Sequence, residues 1–326
     1  MLRRIPPLVD NPLKPWRLRT EALQRPGVQE GISCRYRGLC PWGSMLDRDK
    51  GMSSRLRIHP FSLKESLECG QFFRFTQVTG TYIVQSSGRI FSLWQKGDDL
   101  FYEGVDESFL VHFFRLDESL DAVLKEIDRD PAIHEAIQCY RGLRLIRQDP
   151  WECLISYLCS SAKSISHIRS MIEILCKTSG RKVCLGNYIG YEFPEPSCIV
   201  PSHHLESVGA GFRAPYLVQA GQCIDRNQLI TLKTLPYEHA RQALMKLAGV
   251  GRKVADCTLL YSLDFLEAFP MDTWIKRGLQ HIYFGGKRAG EKKLEEFVTG
   301  HFGPLAGYAQ LYLFHYWRHH PIPTGK

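Results

Sequence analysis

The chain is 326 residues long, is 44% hydrophobic and 11% aromatic, and carries a formal net charge of +8. A chain of this length and composition can bury a core and form two domains of ordinary size. No apolar run approaches the roughly 20 residues of a membrane-spanning helix, so we expect no contact with a membrane. The excess of Lys and Arg over Asp and Glu favours a polyanionic partner.

The first 55 residues differ in composition from the rest. They hold six of the eighteen prolines and eleven Lys/Arg against five Asp/Glu, so +6 of the net charge lies here. These residues also show little of the apolar periodicity that is typical of helices or strands. We interpret residues 1–55 as a disordered extension or as the product of an upstream start codon, since Met45 and Met52 both precede the regular part.

The cysteines indicate reduced thiols. The start of the chain, MLRRIPPLVDNP, lacks the apolar stretch of a signal peptide, so we expect that the protein is not secreted and that its eleven cysteines form no disulfide framework. They also lack the close spacing of a zinc or iron–sulfur site, and none follows Cys257. The sequence therefore predicts no metal and no other cofactor.

The regular part begins with strands and continues with helices. Within residues 57–104 the runs TYIVQ, IFSLWQ and LFYEG are separated by the turn sequences SSGR and KGDD. After Phe109 the apolar spacing becomes helical and stays so, as in DESLDAVLKEI and PYEHARQALMKL. We predict an α+β protein, with an antiparallel β-rich domain over residues 56–139 and an all-α domain over residues 140–326.

The stretch LAGVGRKVADC, from Leu247 to Cys257, predicts two helices joined by a tight turn. The first helix is expected to end at about Ala248 and the second to begin near Lys253. The turn is Gly249-Val250-Gly251, whose glycines are free to adopt positive φ angles. Such a helix–hairpin–helix exposes backbone N–H groups that suit a phosphate oxygen, although an ordinary helix corner with a glycine cap is the alternative.

Lys253 lies where a positive charge is unfavourable, in the first turn of a helix. Partial burial beside the positive helix terminus would favour the neutral amine, which is nucleophilic. A lysine that is simply exposed is the alternative. Cys257 and Tyr261 follow at one helical turn and two turns, so they would line a pocket with Lys253 or belong to the core. Asp272 directly precedes another helical segment and is a natural N-cap.

At these residues the sequence resembles a known family. Leu247–Cys257 followed by Pro270-Met271-Asp272 is similar to the signature of the helix–hairpin–helix DNA base-excision glycosylases, in its bifunctional lysine variant. The resemblance narrows to the 8-oxoguanine DNA glycosylase family and runs from about residue 57 to residue 317. Four further segments show it in the same order: ECGQFFRF (68–75), LRLIRQDPWECLISYLCSS (143–161), GAGFRAPYL (209–217) and FGPLAGYAQLYLF (302–314).

The resemblance implies the chemistry and the partner. The target base is flipped out of duplex DNA into a pocket. Lys253 matches the lysine that attacks the sugar C1′, and the resulting Schiff base permits β-elimination of the 3′ phosphate. Asp272 matches the aspartate that stabilises the positive sugar and orients the lysine. We expect a monomer that works in the nucleoid or cytoplasm of a bacterium, or in the nucleus of a eukaryote.

The resemblance also implies a base pocket. Gly70 matches the glycine whose carbonyl accepts a hydrogen bond from N7–H of oxidised guanine, a hydrogen that guanine lacks. Gln310 matches the glutamine that reads the Watson–Crick edge. Phe314 and Cys257 match the residues on either side of the base, and Pro270 completes the pocket.

The sequence departs from the family pattern where the opposite strand is held. An asparagine triplet is replaced by Ala162-Lys163-Ser164, and His167 stands in place of the arginine that checks the opposite cytosine. Phe212 stands in place of a wedge tyrosine, and Arg213 is kept beside it. We predict that His167, Phe212 and Arg213 contact DNA but that preference for cytosine opposite the lesion is weak.

Three other functions compete with this prediction. A glycosylase for alkylated bases of the same superfamily is disfavoured because such enzymes usually lack the lysine. A non-catalytic DNA-binding protein is disfavoured because phosphate binding needs neither Lys253 nor Asp272. An iron–sulfur glycosylase is disfavoured because no cysteine follows Cys257.

Overall fold

The computed structural model describes residues 54–160, 164–199 and 208–320, together with residue 322. The interpretation of residues 1–55 and the positions Ala162 and Lys163 therefore lie outside the described residues, except that Ser54 and Arg55 begin the first strand. No helix in these ranges is long and apolar enough to cross a membrane.

The β-rich part is a five-stranded antiparallel sheet in the order β1-β5-β4-β3-β2. Its strands are β1 (Ser54–Arg57), β2 (Phe75–Val78), β3 (Thr81–Ser86), β4 (Arg89–Lys96) and β5 (Asp99–Glu103). The three predicted strands are β3, β4 and β5. Helix α1 (Leu63–Glu68) separates the first two strands.

The turn between β3 and β4 shows why the sheet forms where it does. Ser87 and Gly88 both have positive φ, +52° and +72°. Two consecutive residues of this kind match the right-handed twist of an antiparallel pair, and they place Val84 opposite Phe91. Both of these side chains are fully buried in the core of the sheet part.

The rest of the described chain is mostly helical. Its first helix packs in the core of the sheet part, and the later helices share a second, larger core. Its helices are α2 (Glu107–Phe113), α3 (Leu120–Ile127), α4 (Pro131–Cys139), α5 (Pro150–Cys159), α6 (Ile165–Ser179), α7 (Pro196–Ile199), α8 (Ala214–Cys223), α9 (Arg226–Thr231), α10 (Tyr237–Leu244), α11 (Arg252–Ser262), α12 (Thr273–Tyr283), α13 (Glu291–Phe302) and α14 (Ala306–His319). The predicted α+β class is confirmed.

One prediction about this part is wrong, because the chain does not stay helical after Phe109. Strands β6 (Lys182–Leu185) and β7 (Tyr188–Tyr191) form an antiparallel hairpin. The signal was present in VCLGNYIGY, since Gly186-Asn187 is a two-residue hairpin turn and Gly186 has φ +54°. The hairpin lies against the main sheet, where the side-chain oxygen of Gln85 accepts a 2.8 Å hydrogen bond from Tyr191 N–H.

Candidate active site

The predicted hairpin joins α10 to α11, with two corrections. Helix α10 ends at Leu244, four residues before the predicted Ala248, and an irregular turn follows. Helix α11 begins at Arg252, as predicted to within one residue. Only Gly249 uses a positive φ (+78°), whereas Gly251 is extended with φ −87°.

Each residue of the hairpin turn has a structural reason. A Cβ atom at Gly249 would lie 2.5 Å from the Tyr216 ring, so contact with α8 requires glycine as much as the φ angle does. Val250 is buried, which anchors the turn to the helical core. Gly251 is the N-cap of α11 and supplies no side-chain cap. The first-turn N–H groups of α11 are therefore open to an anion.

Lys253 is partly buried in that first turn. Its ammonium group donates a 3.0 Å hydrogen bond to the Ser160 hydroxyl at the end of α5. It also lies 4.9 Å from the centre of the Tyr157 ring, a cation–π distance. These two contacts direct the lysine inward, away from solvent.

Asp272 is the N-cap of α12, and its carboxylate accepts a 2.8 Å hydrogen bond from Ile275 N–H. The predicted capping role is therefore present. Orientation of the lysine by this aspartate stays a prediction, since the described residues include no ion pair between Lys253 and Asp272. The contacts that the lysine makes are with Ser160 and Tyr157.

Lys253 and Asp272 open into one cavity of about 240 Å³. The five predicted base-pocket residues line the same cavity: Gly70, Cys257, Pro270, Gln310 and Phe314. They come from the end of α1, from α11, from the segment before α12 and from α14. Residues separated by up to 244 positions in the chain thus meet around one space, and they do so beside the lysine.

Contacts within the protein hold two of these side chains in place. The buried amide of Gln310 donates to the Pro270 carbonyl at 3.2 Å and accepts from the Tyr261 hydroxyl at 3.4 Å. Cys257 is 2% exposed, and burial raises the pKa of its thiol to about 12. The thiol is therefore neutral at physiological pH and presents an apolar surface to the cavity.

Sequence reasoning missed several residues of the cavity wall, of which Ser160, Trp274 and Arg318 are the most polar or exposed. Trp274 is 57% exposed, although it is only two positions beyond Asp272. Arg318 follows Phe314 by one helical turn, so helical spacing alone would have placed it on the same face. Ser160 was visible in the CSS sequence but had no assigned role.

The residues predicted to contact DNA do not line this cavity. His167 is exposed in the first turn of α6, where its Nδ1 atom lies 2.7 Å from the Ser164 hydroxyl. Phe212 is 63% exposed. Arg213 is only 2% exposed and its guanidinium lies 4.1 Å from the Phe212 ring centre, so its contact with DNA stays a prediction. It supports the Phe212 ring from the protein side.

Within the described ranges, no group of three or more His, Cys, Asp and Glu side chains is arranged to hold a metal ion. The nine described cysteines are free thiols.

Comparisons with known proteins give one consistent result. The family described as 8-oxoguanine DNA glycosylase, N-terminal domain, matches residues 55–154. The N-glycosylase/DNA lyase of Arabidopsis thaliana is 33% identical over 277 residues, which cover 75% of this chain and 74% of that protein. A probable N-glycosylase/DNA lyase of Methanothermobacter thermautotrophicus is 32% identical over 212 residues, which cover 58% of this chain and 68% of that protein.

A solved structure shows the same similarity in three dimensions. It is the 8-oxoguanine glycosylase/lyase of Clostridium acetobutylicum in complex with double-stranded DNA containing cytosine opposite 8-oxoguanine. Its TM-score is 0.76 at 32% identity, and the match covers 80% of this chain and 93% of that one. The sequence signature, the fold and these relatives agree: the chain belongs to the 8-oxoguanine DNA glycosylase family of N-glycosylase/DNA lyases.

Proposed function

We propose that this protein is a bifunctional DNA glycosylase and abasic-site lyase that excises 8-oxoguanine from duplex DNA. The observation that supports this most is the position of Lys253, a lysine directed into a cavity that is also lined by the Asp272 carboxylate. The relatives named N-glycosylase/DNA lyase support the pair of activities, and the Clostridium complex supports the lesion.

The reaction begins when the damaged nucleotide is extruded from the helix into the cavity, because its C1′ atom is out of reach inside the stack. The neutral amine of Lys253 then attacks C1′. The bond between C1′ and N9 breaks, and the base leaves with the electron pair and takes up a proton. Asp272 stabilises the positive charge that develops on the sugar, and its role as an N-cap keeps the carboxylate in a defined position.

The lyase step follows from the covalent intermediate. The amine bound to C1′ opens the sugar ring and becomes a Schiff base. Removal of a proton from C2′ then expels the 3′ phosphate, and this β-elimination cuts the strand. Hydrolysis of the Schiff base returns Lys253 to its amine form, so the protein is unchanged at the end.

Recognition of the base uses the cavity wall. The Gly70 carbonyl accepts a hydrogen bond from N7–H, which oxidised guanine has and guanine lacks. Gln310 reads the Watson–Crick edge, while the ring of Phe314 and the neutral thiol of Cys257 lie against the two faces of the base. Pro270 supports this arrangement, since its carbonyl holds the Gln310 amide.

Outside the cavity, the Gly249-Val250-Gly251 turn binds a DNA phosphate through the open N–H groups at the start of α11. Phe212 fills the gap left by the extruded nucleotide, and Arg213 supports it. His167 faces the opposite strand and cannot provide the forked donors of an arginine, so discrimination of the opposing base is weak. A protein with this substrate works where the DNA is, in a nucleoid or a nucleus.

Borohydride trapping tests the proposal. A duplex with one 8-oxoguanine opposite each of the four bases is incubated with the protein and with Lys253→Gln, and the reductant fixes any Schiff base as a covalent adduct. The matched control is Lys125→Gln, which removes an exposed lysine on α3. We expect adducts with the wild type and the control, and none with Lys253→Gln.

The other outcomes separate the alternatives. Release of free base without an adduct would mean a monofunctional glycosylase and would refute the role of Lys253. Neither adduct nor released base would refute the lesion assignment and favour a DNA-binding protein.

A further inference from the structure

Arg318 is the one strongly charged residue of the cavity wall that the proposed mechanism does not use. It lies on α14, one helical turn beyond Phe314 and two turns beyond Gln310, so the three side chains share a face of the helix. A positive charge in the last turn of a helix interacts favourably with the helix dipole. That interaction accounts for an arginine at this position but not for where its side chain points. The contacts of its guanidinium group give that direction.

The guanidinium group is held against the backbone around Gly70. Its Nη1 atom donates a 2.8 Å hydrogen bond to the Cys69 carbonyl, which belongs to the peptide unit that precedes Gly70. A Cβ atom built on Gly70 would lie 3.0 Å from the same Nη1 atom and 3.5 Å from the Phe314 ring. Gly70 itself has φ +97°. The Gly70 backbone, the arginine and the stacking ring thus converge on one edge of the cavity.

The guanidinium group keeps donors available for a ligand. A guanidinium carries five N–H donors and no acceptor. Among the described residues Arg318 makes one hydrogen bond to the protein, and no carboxylate forms an ion pair with it. Several N–H groups therefore remain to be satisfied by water or by a bound molecule at this edge of the cavity.

In the recognition proposed above, the Gly70 carbonyl is the acceptor at this edge, and the guanidinium lies beside it as a donor. Oxidised guanine has a matching pair on its five-membered ring, an N7–H donor next to a C8=O acceptor. Guanine has the reverse at N7, which is an acceptor, and only a hydrogen at C8. A base stacked on Phe314 with N7–H directed at the Gly70 carbonyl would place the oxygen on C8 toward the guanidinium.

The geometry points to Arg318 as a specificity-determining residue that donates a hydrogen bond to the C8 oxygen of the lesion. This inference rests on the proposed function and deepens it, because it names the group that reads the oxygen added by oxidation. A charge-assisted donor of this kind gains no contact with guanine, which carries only a hydrogen at C8, so it favours the oxidised base alone.

Equilibrium binding to uncleavable substrates tests the inference. Two duplexes carry 2′-fluoro analogues of 8-oxo-2′-deoxyguanosine and of 2′-deoxyguanosine, in which the electronegative fluorine blocks cleavage of the bond to the base. They are titrated against the wild type, Arg318→Met and Arg318→Lys. Arg129→Met is the matched control, since it removes an arginine that is 44% exposed and ion-paired to Glu126.

We expect Arg318→Met to weaken binding of the 8-oxoguanine duplex roughly tenfold to a hundredfold and to leave the guanine duplex unchanged. Arg318→Lys restores part of the loss, because it keeps a charged donor. Cleavage of a duplex with a preformed abasic site stays at the wild-type rate in both variants, since no base is present to be read.

Three results would overturn the inference. The first is unchanged binding of the 8-oxoguanine duplex by Arg318→Met. The second is an equal loss with both duplexes, which would make Arg318 a general DNA contact or a support for the Cys69–Gly70 backbone. The third is loss of abasic-site cleavage, which would place its effect on Lys253. A wild type that fails to excise 8-oxoguanine would instead refute the proposed function, and that outcome is distinct from all three.

Discussion

The cavity and the surface around His167 and Phe212, which we propose contacts DNA, are built in different ways. Around the cavity, Gln310 is fixed by two protein hydrogen bonds, Lys253 by one and Asp272 by its cap. At the proposed DNA-contact surface, His167 has a contact only three residues away in the chain, and Phe212 is 63% exposed. The first region is held by contacts between distant elements in addition to the local cap of Asp272, and the second by local contacts.

This difference explains where the sequence departs from its family. Of these departures, His167 and Phe212 fall in the region held by local contacts, whereas Ala162 and Lys163 lie outside the described residues. A substitution in that region would change the proposed contact with DNA at little cost in folding free energy. A substitution in the cavity wall changes both the chemistry and a buried contact, so the residues that the resemblance implies are retained there.

Among the substitutions that test this contrast, Asp272→Asn is expected to have the largest effect on activity. Asparagine caps a helix about as well as aspartate, so the free energy of unfolding should change by less than about 0.5 kcal/mol. Loss of the negative charge should slow base excision by about a hundredfold to a thousandfold, since the developing positive sugar loses its stabilising partner. Single-turnover excision and chemical denaturation measure the two effects. Equal excision rates for the two proteins would show that Asp272 is only a cap.

Phe314→Leu should have the next largest effect. Loss of one aromatic face against a base costs about 1 to 3 kcal/mol, so binding of the uncleavable 8-oxoguanine duplex should weaken by about one to two orders of magnitude. Cleavage of a preformed abasic site is the internal control, because no base stacks there. A parallel loss of abasic-site cleavage would mean that Phe314 shapes the cavity instead of contacting the base.

His167→Arg tests the surface around His167 by introducing the arginine that the family pattern has at this position. The wild type should prefer cytosine opposite the lesion by far less than about a thousandfold, because a histidine lacks bidentate donors. Introducing arginine should raise that preference by about tenfold, with no change in unfolding free energy because the position is exposed. Excision rates opposite all four bases measure it, and a strong preference in the wild type would contradict the assignment of weak discrimination.

The smallest effect is expected from Cys257→Ala, and it concerns pH. Because burial raises the pKa of this thiol to about 12 from an unfolded value near 8.5, the folded protein keeps the proton while the unfolded chain loses it. The thiol therefore contributes stability that is complete below about pH 8.5 and declines as the pH rises toward 12. Thermal unfolding from pH 7 to pH 10 should show a shallower decline for Cys257→Ala than for the wild type.

The pH dependence of base excision is the control for that prediction. Between pH 6 and pH 8 the shape of the excision profile should be the same in both proteins, since the folded thiol stays neutral. A step in the wild-type profile that disappears in Cys257→Ala would mean that the thiolate takes part in the reaction.

Much of this protein can be predicted from local sequence, because local physics decides it. Alternation and turn residues specify β3, β4 and β5, and the two-residue turn at Gly186-Asn187 specifies a hairpin even though the helical pattern around it was misleading. The turn glycines and the capping position of Asp272 likewise follow from the preferences of single residues. The resemblance then named the cavity residues, but it did not show that they meet.

Tertiary structure alone decided which side chains share the cavity and what holds them. Ser160 contacts Lys253 across 93 positions of the chain, and Arg318 reaches the Cys69 carbonyl across 249. No periodicity within one element encodes such contacts, since they depend on how α5, α11 and α14 pack around a common core. Burial of Arg213, which sequence reasoning assigned to the DNA surface, has the same origin: exposure is a property of the packed chain and not of the residue.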